Sequence, residues 1–315
     1  MKEESGILNV IKPLGWTSMD VVRMLKRLTK QKRVGHAGTL DPLATGLLPI
    51  CFGQATRVME YLVDSPKTYM AVIQLGVSTD SYDAAGKITS VADSSSIGTK
   101  DIESALDRYK GTFSQVPPMF SALKKDGKRL YKLARAGKEV DRPPREVSIY
   151  KMDMLDWSNP NVTLEIQCGR GMYVRSLAHD IGVALGCGAH LSQLDRIRTG
   201  PFDYSTALEI SKAETACATG HWASCLYPID YPLMKFRAAT VTQDTEQAIR
   251  QKQAVYLNTS HDVLETSDLC RVYSSDGDLI AIAEPSGSGN NMWRAKKLFN
   301  RDLIAKGTQN AVQTS

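Results

Sequence analysis

The sequence predicts an α+β protein, a large domain of interleaved strands and helices followed by a small β-rich one. Three observations predict it. Apolar and charged residues make up 42% and 23% of the 315 residues, the balance of a globular chain with a sizeable core. Strand-like and helix-like segments interleave without a regular βαβ rhythm, and no internal repeat is present. At residues 227–232 the prolines and a polar shift mark a boundary, beyond which only short strand-like segments recur.

Taken in order, residues 6–11 (GILNVI) read as a buried strand, ended by Lys12-Pro13-Leu14-Gly15. Ser18 is the expected N-cap of a helix carrying Val21, Val22, Leu25 and Leu28 on one face. Residues 35–46 form a loop with three glycines and a proline. Residues 47–51 return to strand, 55–62 read as helical, and 69–75 alternate like a strand. Residues 79–98 are polar, with a short strand around Ile88. Residues 101–109 read as a helix with Ile102, Leu106 and Tyr109 inward. Two β-rich runs, 146–156 and 162–168, lead through Gly169-Arg-Gly171 into a helix over about 173–185. In the last part, 254–257, 269–274 and 279–283 read as short strands, with a hairpin turn at Asp276-Gly277. The tail from 307 is expected to be disordered.

The six cysteines are scattered and form no CxxC pair. With a polar opening (Met1 to Ser5) and no apolar run of membrane-spanning length, the expectation is a cytosolic protein with free thiols. Cys217, His221 and Cys225 would share a face if that stretch were helical. Their spacing matches no zinc signature, so no metal is expected.

The segment Gly35-His-Ala-Gly-Thr-Leu-Asp-Pro-Leu-Ala-Thr-Gly46 carries the most chemistry. Glycine permits backbone angles closed to other residues, so three of them around one His and one Asp suggest a loop shaped to present those side chains. A phosphate-binding P-loop is excluded: the Gly-Lys-Ser/Thr ending is missing, and the central acid would repel a phosphate. Alone, Asp41 before Pro42 also fits a turn or helix cap, and His36 an ordinary loop histidine. A second candidate lies at Gly169-Arg-Gly-Met-Tyr-Val-Arg175. Arg175 is a natural partner for a nucleophilic carboxylate, and within about 4–6 Å it would lower that carboxylate's pKa by roughly 1–3 units. It equally fits a surface arginine at a helix start, and Tyr69 fits a packing residue on a strand.

Charge is uneven. The whole chain carries a surplus of only +5, yet residues 123–145 hold nine basic and three acidic side chains. Lys124, Lys128, Arg129, Lys132 and Arg142 are among them, interrupted by Leu130, Tyr131 and Leu133 that can anchor a short amphipathic helix. Lys26, Arg27, Lys30, Lys32 and Arg33 form a second cluster just before His36. Concentrated patches of this kind are the footprint of a nucleic-acid contact, although a solvated helical face also fits. Tyr69 and Tyr173 could offer aromatic surfaces to an unstacked base.

At this point the residues match a family pattern. The Gly35–Gly46 loop and the Leu47-Leu48 that follow resemble the catalytic motif of bacterial tRNA pseudouridine-55 synthases, the TruB family. Agreement continues, in the family's order, at Asn9 to Ser18, Lys67-Thr-Tyr69, Pro117 to Lys124, Gly169 to Arg175 and Leu194 to Pro201. The resemblance implies a pseudouridine synthase catalytic domain with a mixed, largely antiparallel sheet flanked by helices over residues 1–232. A small PUA-like RNA-binding domain would follow over 233–304, then a tail from 305. Asp41 would attack the flipped nucleotide, Arg175 would pair with it, and Tyr69 would stack on the base and serve in the final proton removal. His36, Tyr173, Leu194 and Lys12 would contact the substrate, and the basic segment at about 123–145 would be a mobile thumb, which Pro143-Pro144 would stiffen. The product would be pseudouridine at position 55 of the T loop. The implied partner is the T arm of tRNA, bound by a monomer in the cytoplasm without membrane, metal or organic cofactor. An isomerisation needs one nucleophile, one base and a dry pocket. Two alternatives stand beside this reading: a synthase acting on another RNA or directed by guide RNA, and an RNA-binding module or chaperone with a decayed site. The thumb-like segment argues against guidance, and the joint presence of Asp41, Tyr69 and Arg175 argues against decay.

Overall fold

The computed structural model describes residues 3–121, 123–125, 127–138, 140–259, 269–287 and 291–300. Of Lys124, Lys125, Lys128, Arg129, Tyr131, Lys132 and Arg135 only the backbone is described, so the four basic side chains expected on RNA at 124, 128, 129 and 132 lie outside it. The expected disordered tail lies outside it too.

The core of the molecule is a ten-stranded mixed sheet. Its main path runs Leu208–Glu209, Gly6–Lys12, Ala44–Phe52, Ala189–Thr199, Lys67–Leu75, Asn161–Cys168, Arg145–Ser158, Gly111–Gln115. Val34–His36 pairs on Ala44–Phe52, and Phe202–Asp203 on Ala189–Thr199. Two pairings are parallel, Gly6–Lys12 with Leu208–Glu209 and Ala44–Phe52 with Ala189–Thr199; the rest are antiparallel. The α+β expectation and its largely antiparallel sheet therefore hold.

Helices close the apolar faces. Helix Ser18–Thr29 sets Val21, Val22 and Leu25 on Leu8, Val10, Leu48, Ile50 and Phe52. Its N-cap is Thr17 rather than Ser18: the Thr17 hydroxyl accepts from Asp20 N, and the Asp20 carboxylate accepts from Thr17 N at 2.9 Å. The acid three residues on decides between two candidate caps, because it satisfies a second free N–H. Ser18 is buried and does other work, described below. Helices Val174–Ala184 and Thr99–Asp107 cover Ala71, Ile73, Leu164 and Ile166 with Leu177, Ala178, Ile181, Ile102 and Leu106. Residues 55–62 prove to be a 3₁₀ turn, Gly53–Val58, running into the helix Met59–Asp64. Lys67 caps that helix's C-terminal end: its ammonium donates to Leu62 O at 3.1 Å, to Ser65 O at 2.6 Å and to Val63 O.

A second, five-stranded sheet runs Arg237–Thr240, Cys270–Tyr273, Leu279–Pro285, Met292–Leu298, Val255–Tyr256. The turn at Asp276-Gly277 joins two antiparallel strands, with Gly277 at φ +83° donating its N–H to Ser274 O. Helix Gln243–Arg250 was not foreseen; Ile249 inserts from it among Val272, Ile280, Ala281 and Trp293. Leu279, Ile282, Phe299 and Phe236 meet Ile7 and Phe202 of the first sheet and Tyr61 of the helix Met59–Asp64 in one buried cluster. The helix Ile210–Ala218 stops short of His221, so Cys217, His221 and Cys225 do not share one helical face. No group of three His, Cys, Asp or Glu able to hold a metal occurs among the described residues. None of their helices is long and apolar enough to cross a membrane.

Candidate active site

Three adjacent strands at the centre of the sheet build the site. Asp41 sits immediately before Ala44–Phe52, whose Ala44 lies opposite Leu194 of the parallel strand Ala189–Thr199. On the other side of that strand Arg196 lies opposite Tyr69. The loop therefore opens where the start of one strand meets the middle of the next, with Tyr69 opposite on the third.

The loop is pinned from three directions. Ser18 Oγ donates to Leu40 O at 3.1 Å and accepts from Leu40 N at 2.8 Å, holding the residue before Asp41. Gly15 N donates to Pro42 O, and Ala44 N to Asp41 O, closing a turn around the carboxylate. Arg196, 1% exposed, donates from Nε to Leu47 O at 2.8 Å and from Nη2 to Gly38 O at 3.0 Å. Gly38 (φ +105°) and Gly46 (φ +101°) take backbone angles that favour glycine. A Cβ on Gly46 would lie 2.6 Å from Arg196 N and strike Asp195 Oδ1 and Arg196 O as well.

Asp41 faces a cleft of about 1690 Å³ that is also lined by His36, Asp83, Phe120, Arg175, Leu194 and Asp195. Its Oδ2 lies 2.9 Å from Arg175 Nη2; the Asp41 side chain is 40% exposed and that of Arg175 5%. Arg175 stands in the first turn of Val174–Ala184 and is fixed by more than Asp41. Nη1 meets Asp83 Oδ2 at 3.3 Å and donates to Ser81 O at 3.2 Å, while Nη2 donates to Phe120 O at 2.9 Å. Asp83 is itself held, accepting from Ser81 Oγ at 2.5 Å and from Ala85 N at 3.1 Å. A guanidinium spread over two carboxylates and two carbonyls is rigid, and a rigid cation fixes the carboxylate it serves.

The electrostatics correct one expectation. Arg175 does oppose protonation of Asp41, but burial is the larger effect and Asp83 adds to it, so the Asp41 carboxyl is raised above its ordinary range rather than lowered. Lys12 also favours the charged carboxylate. It is itself fully buried, with its ammonium donating to Pro13 O at 2.8 Å and Trp16 O at 2.7 Å and its pKa pushed down to about 8 by burial. That geometry gives Lys12 the loop 13–16 to hold rather than an open charge for a substrate.

Tyr69 lies on the helix-covered face of its strand, in one cluster with Leu40, Ala44 and Val174, against which Leu194 packs. Burial raises its hydroxyl pKa, with Arg196 opposing and Asp41 adding to the rise. Tyr173 is the residue before the helix; its backbone exchanges hydrogen bonds with the Gln115 side chain at 2.9 and 3.1 Å. Its phenol, raised by burial, feels the charges of Asp41 and Arg175. His36 lines the cleft, held below its ordinary pKa by burial and by Arg196, and its Nδ1 is buried with no hydrogen-bond partner among the described residues. Arg142 donates to Pro117 O at 3.3 Å. The structure thus gathers Asp41, Tyr69, Arg175, Tyr173, Leu194 and His36, and adds Ser18, Asp83 and Arg196, to which sequence reasoning assigned no part. Arg196 had one signal, a charge two positions along the strand from Leu194 and so on the same face.

Comparison with known proteins shows the family. Residues 26–174 match the family model of the TruB pseudouridylate synthase N-terminal domain, and residues 175–234 match that of the tRNA pseudouridylate synthase B C-terminal domain. A protein of Dehalococcoides mccartyi named tRNA pseudouridine synthase B is 41% identical over 94% of this chain and 97% of its own. One of the same name from Dechloromonas aromatica is 43% identical over 93% of this chain and 95% of its own. Among solved structures, one described as a Cbf5-Nop10-Gar1 complex superposes with a TM-score of 0.73 at 24% identity, covering 95% of this chain and 86% of the other, a likeness of fold. On the family models and on identity over nearly its whole length, the chain belongs to the TruB family of pseudouridylate synthases.

Proposed function

We propose that this enzyme converts uridine to pseudouridine at position 55 in the T loop of tRNA, with Asp41 acting on a base flipped into the cleft. The observation that carries the reading is the Asp41 carboxylate, open to the cleft on one side and ion-paired with the buried Arg175 on the other. The relatives named tRNA pseudouridine synthase B support tRNA as the substrate.

In this reaction the bond between C1′ and N1 breaks, the uracil turns, and C1′ bonds to C5. The proton on C5 leaves and N1 gains one, so the product is an isomer and no electrons are exchanged. Asp41 attacks the nucleotide as the C1′–N1 bond breaks and is released again when C1′ bonds to C5; Arg175 and Lys12 favour its ionised form against the burial that opposes it. Tyr69 offers its ring to the base and serves in removing the C5 proton, and Tyr173, Leu194 and His36 shape the pocket. Extruding a base costs a few kcal/mol, offset by such stacking and by contacts to the backbone.

Residues 1–232 form the catalytic domain in this reading and 233–304 a PUA-like RNA-binding domain. Lys124, Lys128, Arg129, Lys132 and Arg142 belong to a basic thumb on the T arm, and the enzyme works as a cytoplasmic monomer. Two tRNA transcripts that differ only at position 55 test the assignment. Mapping should find pseudouridine at 55 in the parent transcript and none in the altered one; an undiminished yield from the altered transcript would refute it.

A further inference from the structure

We propose that Tyr82 and His179 form a positioning stack that holds the Ser81–Asp83 turn against Arg175 and so fixes the guanidinium on Asp41. Their rings lie 3.9 Å apart between centroids and 12° from parallel. Tyr82 adopts φ +65°, a left-handed angle that is strained for a residue with a Cβ. It lies between the two residues of its segment that touch Arg175: Ser81 through its carbonyl and Asp83 through its carboxylate. His179 stands four residues after Arg175 in the same helix, so the guanidinium and the imidazole project from one face. The stack therefore bridges the same two segments as the ion pair.

Strained backbone persists only where its surroundings over-determine it. Tyr82 O accepts from Leu191 N at 3.0 Å and Ala84 N donates to Leu191 O at 3.0 Å, tying the turn to the strand that carries Leu194 and Arg196. The ring contact supplies the remaining restraint from the helix side. His179 Nδ1 is buried with no hydrogen-bond partner among the described residues, and burial holds its pKa below the ordinary value, so the ring offers a neutral face. Its role is to present that face to Tyr82. Both residues act through Arg175 and are positioning residues; the inference rests on the assignment of Asp41 and Arg175 to the reacting centre.

The test compares the full-length parent with Tyr82→Phe, Tyr82→Gly, His179→Leu and Asp41→Asn. Each is assayed for kcat and KM on a tRNA transcript, for tRNA affinity and for melting temperature. Tyr82→Gly relieves the backbone strain while removing the ring, so it folds, yet should lose about ten- to a hundredfold in kcat, the penalty of a slightly misplaced group. KM and affinity should stay within about twofold, because the stack lies behind Arg175 and not on the RNA. His179→Leu should show the same split, and Tyr82→Phe, which keeps the face, should retain the parent kcat. An unchanged kcat in Tyr82→Gly, a loss confined to KM, or an equal loss in Tyr82→Phe would overturn the proposal. If Asp41→Asn is inactive while Tyr82→Gly is fully active, the stack alone falls; if Asp41→Asn is active, the reading of the reacting centre falls first.

Discussion

Arg175 Nη1 lies 3.3 Å from Asp83 Oδ2, so the guanidinium that meets Asp41 through its other terminal nitrogen is shared with a second, more deeply buried carboxylate. One cation thus serves two acids of different standing. Asp41 opens on the cleft, whereas Asp83, 8% exposed at its side chain, is enclosed by Ser81 and Ala85. Asp83 orients the cation, and the cation orients Asp41.

Asp83→Asn should therefore lower kcat by about tenfold or more while tRNA affinity is kept, the size expected for loss of orientation. The amide preserves shape but weakens a charge-assisted contact to a buried group, a stability loss of roughly 1–3 kcal/mol. Turnover and denaturant unfolding of the same preparation check both effects.

The pH profile follows from the direction of the Asp41 shift. In the proposed reaction Asp41 acts as the ionised carboxylate, and burial raises its pKa, so the acid limb of kcat/KM should fall above the ordinary aspartate value of about 3.9. Arg175 opposes that rise, so Arg175→Met should move the limb to higher pH. Asp83 adds to the rise, so Asp83→Asn should move it to lower pH. Single-turnover rates between pH 4 and 8 separate the two, and shifts of the same sign would refute the assignment.

Gly46→Ala tests the backbone of the strand that follows the loop. Its φ of +101° and the crowding by Asp195 and Arg196 leave no room for a methyl group. The variant should lose at least about 2 kcal/mol of stability from strain and overpacking together. Chemical denaturation of the purified variant would show it; a parent-like midpoint would mean that this backbone can re-form elsewhere.

The basic segment makes a different prediction, resting on charge and not on side-chain geometry. Neutralising Lys128, Arg129 and Lys132 should weaken tRNA binding and flatten its salt dependence, by about 0.7–0.9 log–log units for every phosphate no longer neutralised. Affinity titrations at several salt concentrations measure the slope directly.

Much of the site was legible because its chemistry is local in sequence. Three glycines around His36 and Asp41 announce a shaped loop, and Arg175 follows a short glycine-bounded turn that opens a helix. Tyr69 was legible through its motif, and the sheet through the alternation along residues 69–75 and 162–168. The supporting residues were not. Asp83 falls in a polar stretch whose composition resembles any loop, and its contact with Arg175 spans 92 positions that only the tertiary fold closes. Ser18 looked like a helix cap because its other partner, Leu40, lies 22 residues away. The sign of the Asp41 shift was misread for the same reason: proximity to an arginine can be inferred from motifs, but burial depends on what every neighbouring element covers.

The most direct test of the central claim is Asp41→Asn on a tRNA transcript, with pseudouridine formation and tRNA binding measured side by side. The amide keeps the size of the side chain and removes the nucleophilic charge. Pseudouridine should vanish while affinity stays near that of the parent. Parent-level pseudouridine formation in the variant would contradict the account.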